Sequence, residues 1–534
     1  MKKNCLTCEE SFEVSEKDRS FLSRFDVLDP VECPTCREQR RLSYRNEKTL
    51  YLRDCELCGK QTVSIYSKDK PYHVYCQSCW WSDNWEQTDS SHDFDFSLPF
   101  FEQFNELLHD AKLVALFGGK NHNSEYVNQE TDDKNCYMNA GGHYNEDSFY
   151  NMYSIWGKNT VDNYWVIRSE LLYECIKCEN CFNCTHLENC KNCTDCHHCQ
   201  DLKSCQDCFG SKNLRHKQYC YFNEQLTQEQ YEEKLKKPDQ NFREHFLKHP
   251  YQHAIIENCE DCTGNDLSEC KDCEDSYLSE KCRDCKNIFV ALGVKDAQDI
   301  CSIGWSELIY NSASSGELNT CMSVSSIWQC NFCSYCFVCF SSNNCFGCIG
   351  LHRKEYCILN KQYTKQEYEE LLPKIIAHLK QTGEYGQFFD PAYSPFCYNE
   401  TVAQQYYPLT KEQTLASGWK WKDKASHEYL PQTYQGSYQI EKVPPSITQE
   451  TLACNSCGKN YRIIEPELKF YRRQKLPIPK NCPDCRHQAR LEKRPSRKLF
   501  TRNCHSCKTE IRTSYAPERP EMVYCERCYL SELT

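Results

Sequence analysis

The sequence predicts a mainly β protein with few helices, in which duplicated β-solenoid-like central repeats are flanked by two homologous cysteine-rich end modules. Three observations carry this prediction. Eight cysteines near the start recur near the end at one constant offset of 449 residues. Seven cysteines in the middle recur at an offset of 137. Between them, short strand-like stretches alternate with Asn, Asp and Gly turns at steps of twelve residues, the texture of stacked rungs.

The end modules span residues 1–97 and 454–534. Cys5, Cys8, Cys33, Cys36, Cys55, Cys58, Cys76 and Cys79 return as Cys454, Cys457, Cys482, Cys485, Cys504, Cys507, Cys525 and Cys528, with no insertion between any pair. Arg41-Leu42, Arg45, Arg53 and Val74-Tyr75 return with them as Arg490-Leu491, Arg494, Arg502 and Val523-Tyr524. C-x-x-C spacing sets two thiolates on one tight turn facing a tetrahedral ion, the geometry of structural zinc. The chain is 534 residues long, holds 44 cysteines and opens on Met1-Lys2-Lys3-Asn4-Cys5 without an apolar leader. Zinc in a reducing cytoplasm is therefore the expected use of these cysteines, not disulfides. No run of about 18 apolar residues exists, so no membrane partner is expected. Each module offers two four-cysteine sites, read as sequential quartets, with a cross-braced pairing left open. At least four zinc ions follow. Four sulfurs close each sphere and leave no position for water, which argues for a structural, non-catalytic role.

Residues 98–133 read as a helical connector: Pro99 opens a stretch that places Phe100, Phe101, Phe104, Leu107 and Leu108 on one face. The two repeats occupy 134–235 and 271–382. Cys136, Cys184, Cys193, Cys196, Cys199, Cys208 and Cys220 match Cys273, Cys321, Cys330, Cys333, Cys336, Cys345 and Cys357. Ser169–Tyr173 likewise matches Ser306–Tyr310. Each repeat runs into a capping-box signature, Thr227 with Gln230 and Thr364 with Glu367. The second helix is expected to break at Pro373 and stop at Gly383. Residues 236–270 read as a linker, and the Tyr- and Pro-rich residues 383–453 as a connector packed over other parts.

Asn135-Cys136-Tyr137, Asp147-Ser148-Phe149 and Asn159-Thr160-Val161 begin at steps of twelve, whereas Cys175, Cys178, Cys181 and Cys184 return after fifteen as Cys190, Cys193, Cys196 and Cys199. A solenoid is favoured over a chain of separate metal knuckles, because twelve-residue steps that lack cysteine keep the strand–turn rhythm. The quartets Cys193, Cys196, Cys199, Cys208 and Cys330, Cys333, Cys336, Cys345 persist in both copies and are possible metal sites. An apolar ladder of stacked cysteines explains them equally well. Cys175, Cys178 and Cys181 become Ser312, Ser315 and Leu318 in the second copy, so a shared iron–sulfur cluster fits poorly. His197-His198 reads as an added ligand or a surface charge, and no catalytic constellation stands out.

In the C-terminal module Cys454-x-x-Cys457, Phe470-Tyr471, Pro479 and Cys482-Pro483-x-Cys485-Arg486 form one pattern, and Cys5, Cys8, Phe12, Phe21, Pro30, Cys33, Pro34, Cys36 and Arg37 give its N-terminal version. This pattern resembles the zinc-ribbon, treble-clef-like zinc-binding family, which implies double zinc-ribbon modules at both ends. The whole arrangement is similar to uncharacterised, cysteine-rich multi-zinc proteins of candidate-phylum bacteria. That resemblance implies metal but no known activity.

Residues 454–534 hold 18 Lys and Arg against 9 Asp and Glu, while the whole chain carries a net charge of −12. Arg486, Arg490, Arg494, Arg497, Lys498 and Arg502 form a basic run between the two zinc pairs, with Tyr461, Phe470 and Tyr471 nearby. Such groups suit phosphate contact and base stacking, so nucleic acid, RNA before DNA, or a ribonucleoprotein is an expected partner. Docking of the same run on the acidic remainder of the chain, or on a protein partner, is the competing reading. The sequence thus points to a zinc-binding, non-catalytic scaffold, with a thiol or iron–sulfur redox protein as the alternative.

Overall fold

The computed structural model describes residues 1–282, 327–423 and 429–533, with residues 294, 295, 298, 300, 306–309, 312, 315, 316 and 318–321 between them. Tyr310 of the duplicated segment lies outside the described residues. The protein is β-rich, with a β-solenoid at its centre and the four-cysteine clusters in its terminal regions.

The rungs begin at Gly118–Gly119, which pairs in parallel with Glu130–Thr131, inside the stretch read as a connector. They continue to Gln218–Tyr221. A second run starts at Ile256–Glu257, inside the stretch read as a linker, and its last parallel pair is Asn343–Phe346 with Glu355–Ile358. Cα partners stand twelve residues apart: Leu172 with Cys184, Cys196 with Cys208, Cys208 with Cys220. The fifteen-residue return of cysteines is therefore not a rung. It is one rung plus one side.

A period of three underlies the rung. Backbone φ turns positive at Asn180, Asn183, His186, Asn189, Asn192, Asp195, His198 and Asp201. Four such corners in twelve residues make a four-sided tube with three-residue sides. Asn and Asp tolerate left-handed φ better than other L-residues, which is why they recur at these corners. The residue after each corner points inward, and Cys181, Cys184, Leu187, Cys190, Cys193 and Cys196 are all buried. So narrow a bore takes compact side chains, Cys with an occasional Leu or Val. Cysteine suits it, because its weak S–H donor satisfies a carbonyl at little cost: Cys196 Sγ lies 3.3 Å from Thr194 O and 3.6 Å from Cys205 O. Nearer the start of the tube an Asn column takes over. The side-chain oxygens of Asn139, Asn151 and Asn163 accept the backbone N–H twelve residues on, at 2.9, 3.0 and 2.8 Å.

The helices brace this tube. Helix Phe100–Asp110 buries Phe100, Phe104, Leu107 and Leu108, and its first amides donate to the Glu384 carboxylate at 2.9 and 2.8 Å. Both capping boxes form, on Gln228–Leu235 and Lys365–Thr382. The second helix runs unbroken through Pro373 and ends at left-handed Gly383. Pro373 sits on the exposed face, so its missing N–H leaves the buried face of Tyr368, Ile375 and Leu379 intact. The described residues of 383–453 form a strap that joins cores elsewhere in the chain. Phe388, Phe389 and Phe396 join the N-terminal module and second repeat, Val402 and Ala403 join Leu42 and Tyr164, and Ile440, Val443 and Ile447 join Phe149 and Tyr471.

The duplicated parts interlock. In the N-terminal module His73–Tyr75 pairs in parallel with Lys112–Val114, which leads into the first repeat. In the C-terminal module Val523–Tyr524 pairs with Tyr251–Gln252, which leads into the second. The offsets of 449 and 137 map one junction onto the other to within one residue of register. Each module then lies across the opposite repeat. Trp80 packs on Phe340 and His352 of the second, with ring centroids 5.4 and 4.8 Å away. The Tyr529 hydroxyl, at the position equivalent to Trp80, bonds Asp201 and Asn213 of the first.

Candidate metal centres

Each four-cysteine site is assembled from two local structures. The first is a knuckle, the same four times: the leading cysteine's amide donates to the carbonyl five residues on, and the amide four residues on donates back to the cysteine's carbonyl. Cys5 N donates to Glu10 O and Glu9 N to Cys5 O, as Cys55 and Gly59, Cys454 and Gly458, and Cys504 and Lys508 do with their own partners. Glu9, Gly59, Gly458 and Lys508 all hold positive φ, between 62° and 74°. The second structure is a helix start. Cys33, Cys76, Cys482 and Cys525 are the N-caps of Pro34–Leu42, Gln77–Trp80, Pro483–Glu492 and Glu526–Glu532, so the last cysteine of each quartet lies in a first helical turn.

Together these place Cys5, Cys8, Cys33 and Cys36 in one group, and Cys55, Cys58, Cys76 and Cys79 in another. Cys454, Cys457, Cys482 and Cys485 form the third, and Cys504, Cys507, Cys525 and Cys528 the fourth, with sulfurs in each group within 4.8 Å of one another. The quartets are sequential, not cross-braced. Amides are already aimed at the sulfurs: Cys33 N, Cys76 N and Cys525 N each lie 3.2 Å from Cys5, Cys55 and Cys504 Sγ. N–H donors and a helix N-terminus favour thiolate over thiol. Cys33 is drawn down to about 5, chiefly by its bond from the Cys36 thiol. Burial opposes ionisation at Cys454, yet the amides of Cys482, Cys457 and Ser456 prevail and lower it to about 6. Thr509 lowers Cys507 to about 6 as well. This leaning is confined to one or two sulfurs per group, since burial raises Cys8, Cys79, Cys482 and Cys485; four convergent sulfurs fit a soft or borderline divalent ion and leave no oxygen ligand for a hard one.

The central quartets behave differently. Among the described residues, neither Cys193, Cys196, Cys199, Cys208 nor Cys330, Cys333, Cys336, Cys345 converges on a point. Their members belong to adjacent sides and successive rungs, so they run along the bore, and each S–H donates to a carbonyl: Cys333 Sγ to Asn331 O at 3.4 Å, Cys345 Sγ to Asn343 O at 3.3 Å. These two quartets are thus not among the four-sulfur groups that could hold an ion, and their described sulfurs run as a ladder. Burial pushes the Cys178 and Cys336 thiols well above their usual range, while bonds from the Cys333 and Cys345 thiols draw Cys330 and Cys357 down, as expected where neighbouring thiols share protons. His197 and His198 stay outside the bore. His198 stacks between His186 and Phe242, both 4.3 Å away, and His197 bonds Thr185 at 3.0 Å.

No protein-family model matches the chain, and no curated protein matches it either.

The basic run is spent on the chain itself. Arg486 Nε lies 2.8 Å from Asp162 Oδ2, and Arg490 reaches Asp162 at 3.1 Å and Glu174 at 2.9 Å. Arg490 is 1% exposed and Asp162 0%. Arg494 donates to the Tyr164 hydroxyl at 3.0 Å and lies over the Tyr406 ring, 4.2 Å from its centroid. Arg497 pairs with Glu38 of the N-terminal module at 2.5 Å. Arg502 donates to the carbonyls of Ala516 and Glu521 at 3.3 and 3.2 Å. Of the six residues expected to meet phosphate, Lys498 alone is exposed, beside Phe500. The other five are engaged within the chain: Arg486 and Arg490 by solenoid carboxylates, Arg497 by Glu38 of the N-terminal module, and Arg494 and Arg502 by a hydroxyl and by backbone carbonyls. Asp162 and Glu174 were missed as partners. Their signal was their place on one column, twelve residues apart.

Proposed function

We propose that the chain is a zinc-holding, non-catalytic scaffold in which four treble-clef-like centres clamp a cysteine-lined solenoid into one rigid body. The observation that carries this reading is the repetition of knuckle plus helix start around four convergent sulfurs, with Arg486 and Arg490 of the C-terminal module buried against the solenoid. Modules this small bury too little apolar surface to be secure alone. Structural zinc contributes on the order of 10–16 kcal/mol, enough to set them. The solenoid faces left uncovered would then present a surface to a protein partner.

A nucleic-acid reading falls to the cations of the C-terminal module that remain exposed, such as Arg462, Arg473, Lys475, Lys498 and Lys508. Metal analysis of protein purified under reducing conditions tests the main proposal. About four zinc per chain and no iron is expected; stoichiometric iron with visible absorption would move the chain to the redox class. Binding of generic RNA to the full chain, followed against salt, tests the second reading, and a flat log–log slope removes phosphate contact.

A further inference from the structure

The first rungs of the solenoid carry two carboxyls inside the bore. Glu130 and Asp133 stand at adjacent inward positions, just after the corners at Gln129 and Asp132, and are 0% and 1% exposed. Asn145 on the next rung spans them, its Nδ2 lying 3.2 Å from Glu130 Oε2 and 3.2 Å from Asp133 Oδ1. The remaining oxygen of each, Glu130 Oε1 and Asp133 Oδ2, is buried and accepts no hydrogen bond among the described residues. The two carboxyls are themselves within hydrogen-bond reach of one another. The internal duplication gives a control. At an offset of 137 the same bore positions hold Leu267 and Cys270, both buried, so the rung does not need acids to form.

Among the described residues no cation balances the pair. Inside the bore the other titratable group against it is the Cys136 thiol. On the same turns Lys120 and Asp132 sit at corners, His122 is exposed, and Lys134 reaches out to Glu146 at 2.8 Å. The N-terminal module adds Arg45 and Glu47, which pair with each other and meet the wall at the Tyr153 hydroxyl. Two adjacent carboxylates in a desolvated bore are costly to charge together. One proton between them turns one orphan oxygen into a donor and the other into its acceptor. Burial and the neighbouring carboxyl hold Glu130 well above its usual range, while their mutual bond restrains the rise that burial imposes on Asp133. The same rung seats the N-terminal module. Asn128, two residues before Glu130, donates to the carbonyls of Asn46 and Glu47 at 3.0 Å each.

We infer that Glu130 and Asp133 hold one proton between them and act as an alkaline-sensitive latch. While the proton stays, the first rung is closed and the N-terminal module is seated on it; when it leaves, two like charges in the bore open both. The test compares the full-length, zinc-loaded protein with Glu130→Gln, whose amide donates to Asp133 as the protonated carboxyl does but has no proton to lose. A carboxyl raised by folding contributes stability below the 4.5 of a free carboxyl and loses it as pH rises towards the folded value. In denaturant titration the folded-to-unfolded ratio of Glu130→Gln over that of the parent should therefore grow about tenfold per pH unit above that point, then level off. Amide protection across Asn128–Asn139 should fall with pH in the parent only. Infrared absorption of the native parent at pH 7 should show a protonated-carboxyl band that disappears on unfolding, a readout that stands whether or not the variant folds. A constant gap between variant and parent, no such band, or a calcium-induced rise in Tm that Glu130→Gln abolishes would each overturn the proposal, the last by placing a cation where the proton is assigned.

Discussion

Asp162 shows how much one side chain can hold. It is fully buried, faces two guanidiniums from another module, and joins parts of the chain more than 300 residues apart. Breaking a buried pair by removing one partner typically costs about 3–5 kcal/mol, because the surviving charge is stranded. Asp162→Ala is therefore expected to lower unfolding free energy by about that much in denaturant titration, with Arg490→Ala similar and the double variant far from additive. Exposed Lys498→Ala should change stability by less than about 0.5 kcal/mol. At the metal centres Cys454→Ser should lower the zinc count by one of the proposed four and loosen the C-terminal module first, seen as amide exchange across Leu452–Leu491. Unchanged metal content would place the ion elsewhere.

At the scale of elements, C-x-x-C means two things in this chain. Before a helix it closes a four-sulfur centre; within a rung it is one side of the tube, with the third residue turned inward. Spacing alone does not separate these, and the corner Asn and Asp residues at every third position are the signal that does. Alkylation should separate them in solution. After chelation the sixteen terminal thiols are expected to react at neutral pH, while rung thiols such as Cys196 stay protected until global unfolding, as peptide mass mapping would show. Equal labelling would mean the bore is open. The two solenoid runs are also tied by Glu257, which accepts from Lys191 and Lys203. Burial opposes its charge, but the two ammoniums lower it to about 2, below the 4.5 of a free carboxyl. A depressed carboxyl contributes stability above its unfolded pKa and loses it as pH falls through the folded value. Glu257→Gln should thus melt below the parent at pH 7, with the gap closing as pH drops from about 4.5 towards 2; a constant gap would deny the ion pair its role.

Across the whole molecule, two copies of one module-plus-repeat unit are braced through each other. Chelation is accordingly expected to release both modules and, with them, the seams they cover on the opposite repeats, seen as new amide exchange near His352 and Asp201; modules that keep their protection without metal would refute the clamp. Much of this was legible in the linear chain. Constant cysteine offsets, strand–turn rhythm and capping boxes are local signals, so they revealed the end modules, the rung and the helix starts. The sequential quartets were legible too, with only the cross-braced alternative left open; the straight run through Pro373 and the burial of Arg486 to Arg497 were not, since each depends on which surface arrives opposite. The sequence by itself determined where thiolates could gather and how often the chain turns, because short-range sterics and ligand spacing act within a few residues. Only the tertiary structure decided what the charges were for: a guanidinium reads the same in a string whether phosphate or Asp162 awaits it, and the choice is made by desolvation once distant parts of the chain close on one another.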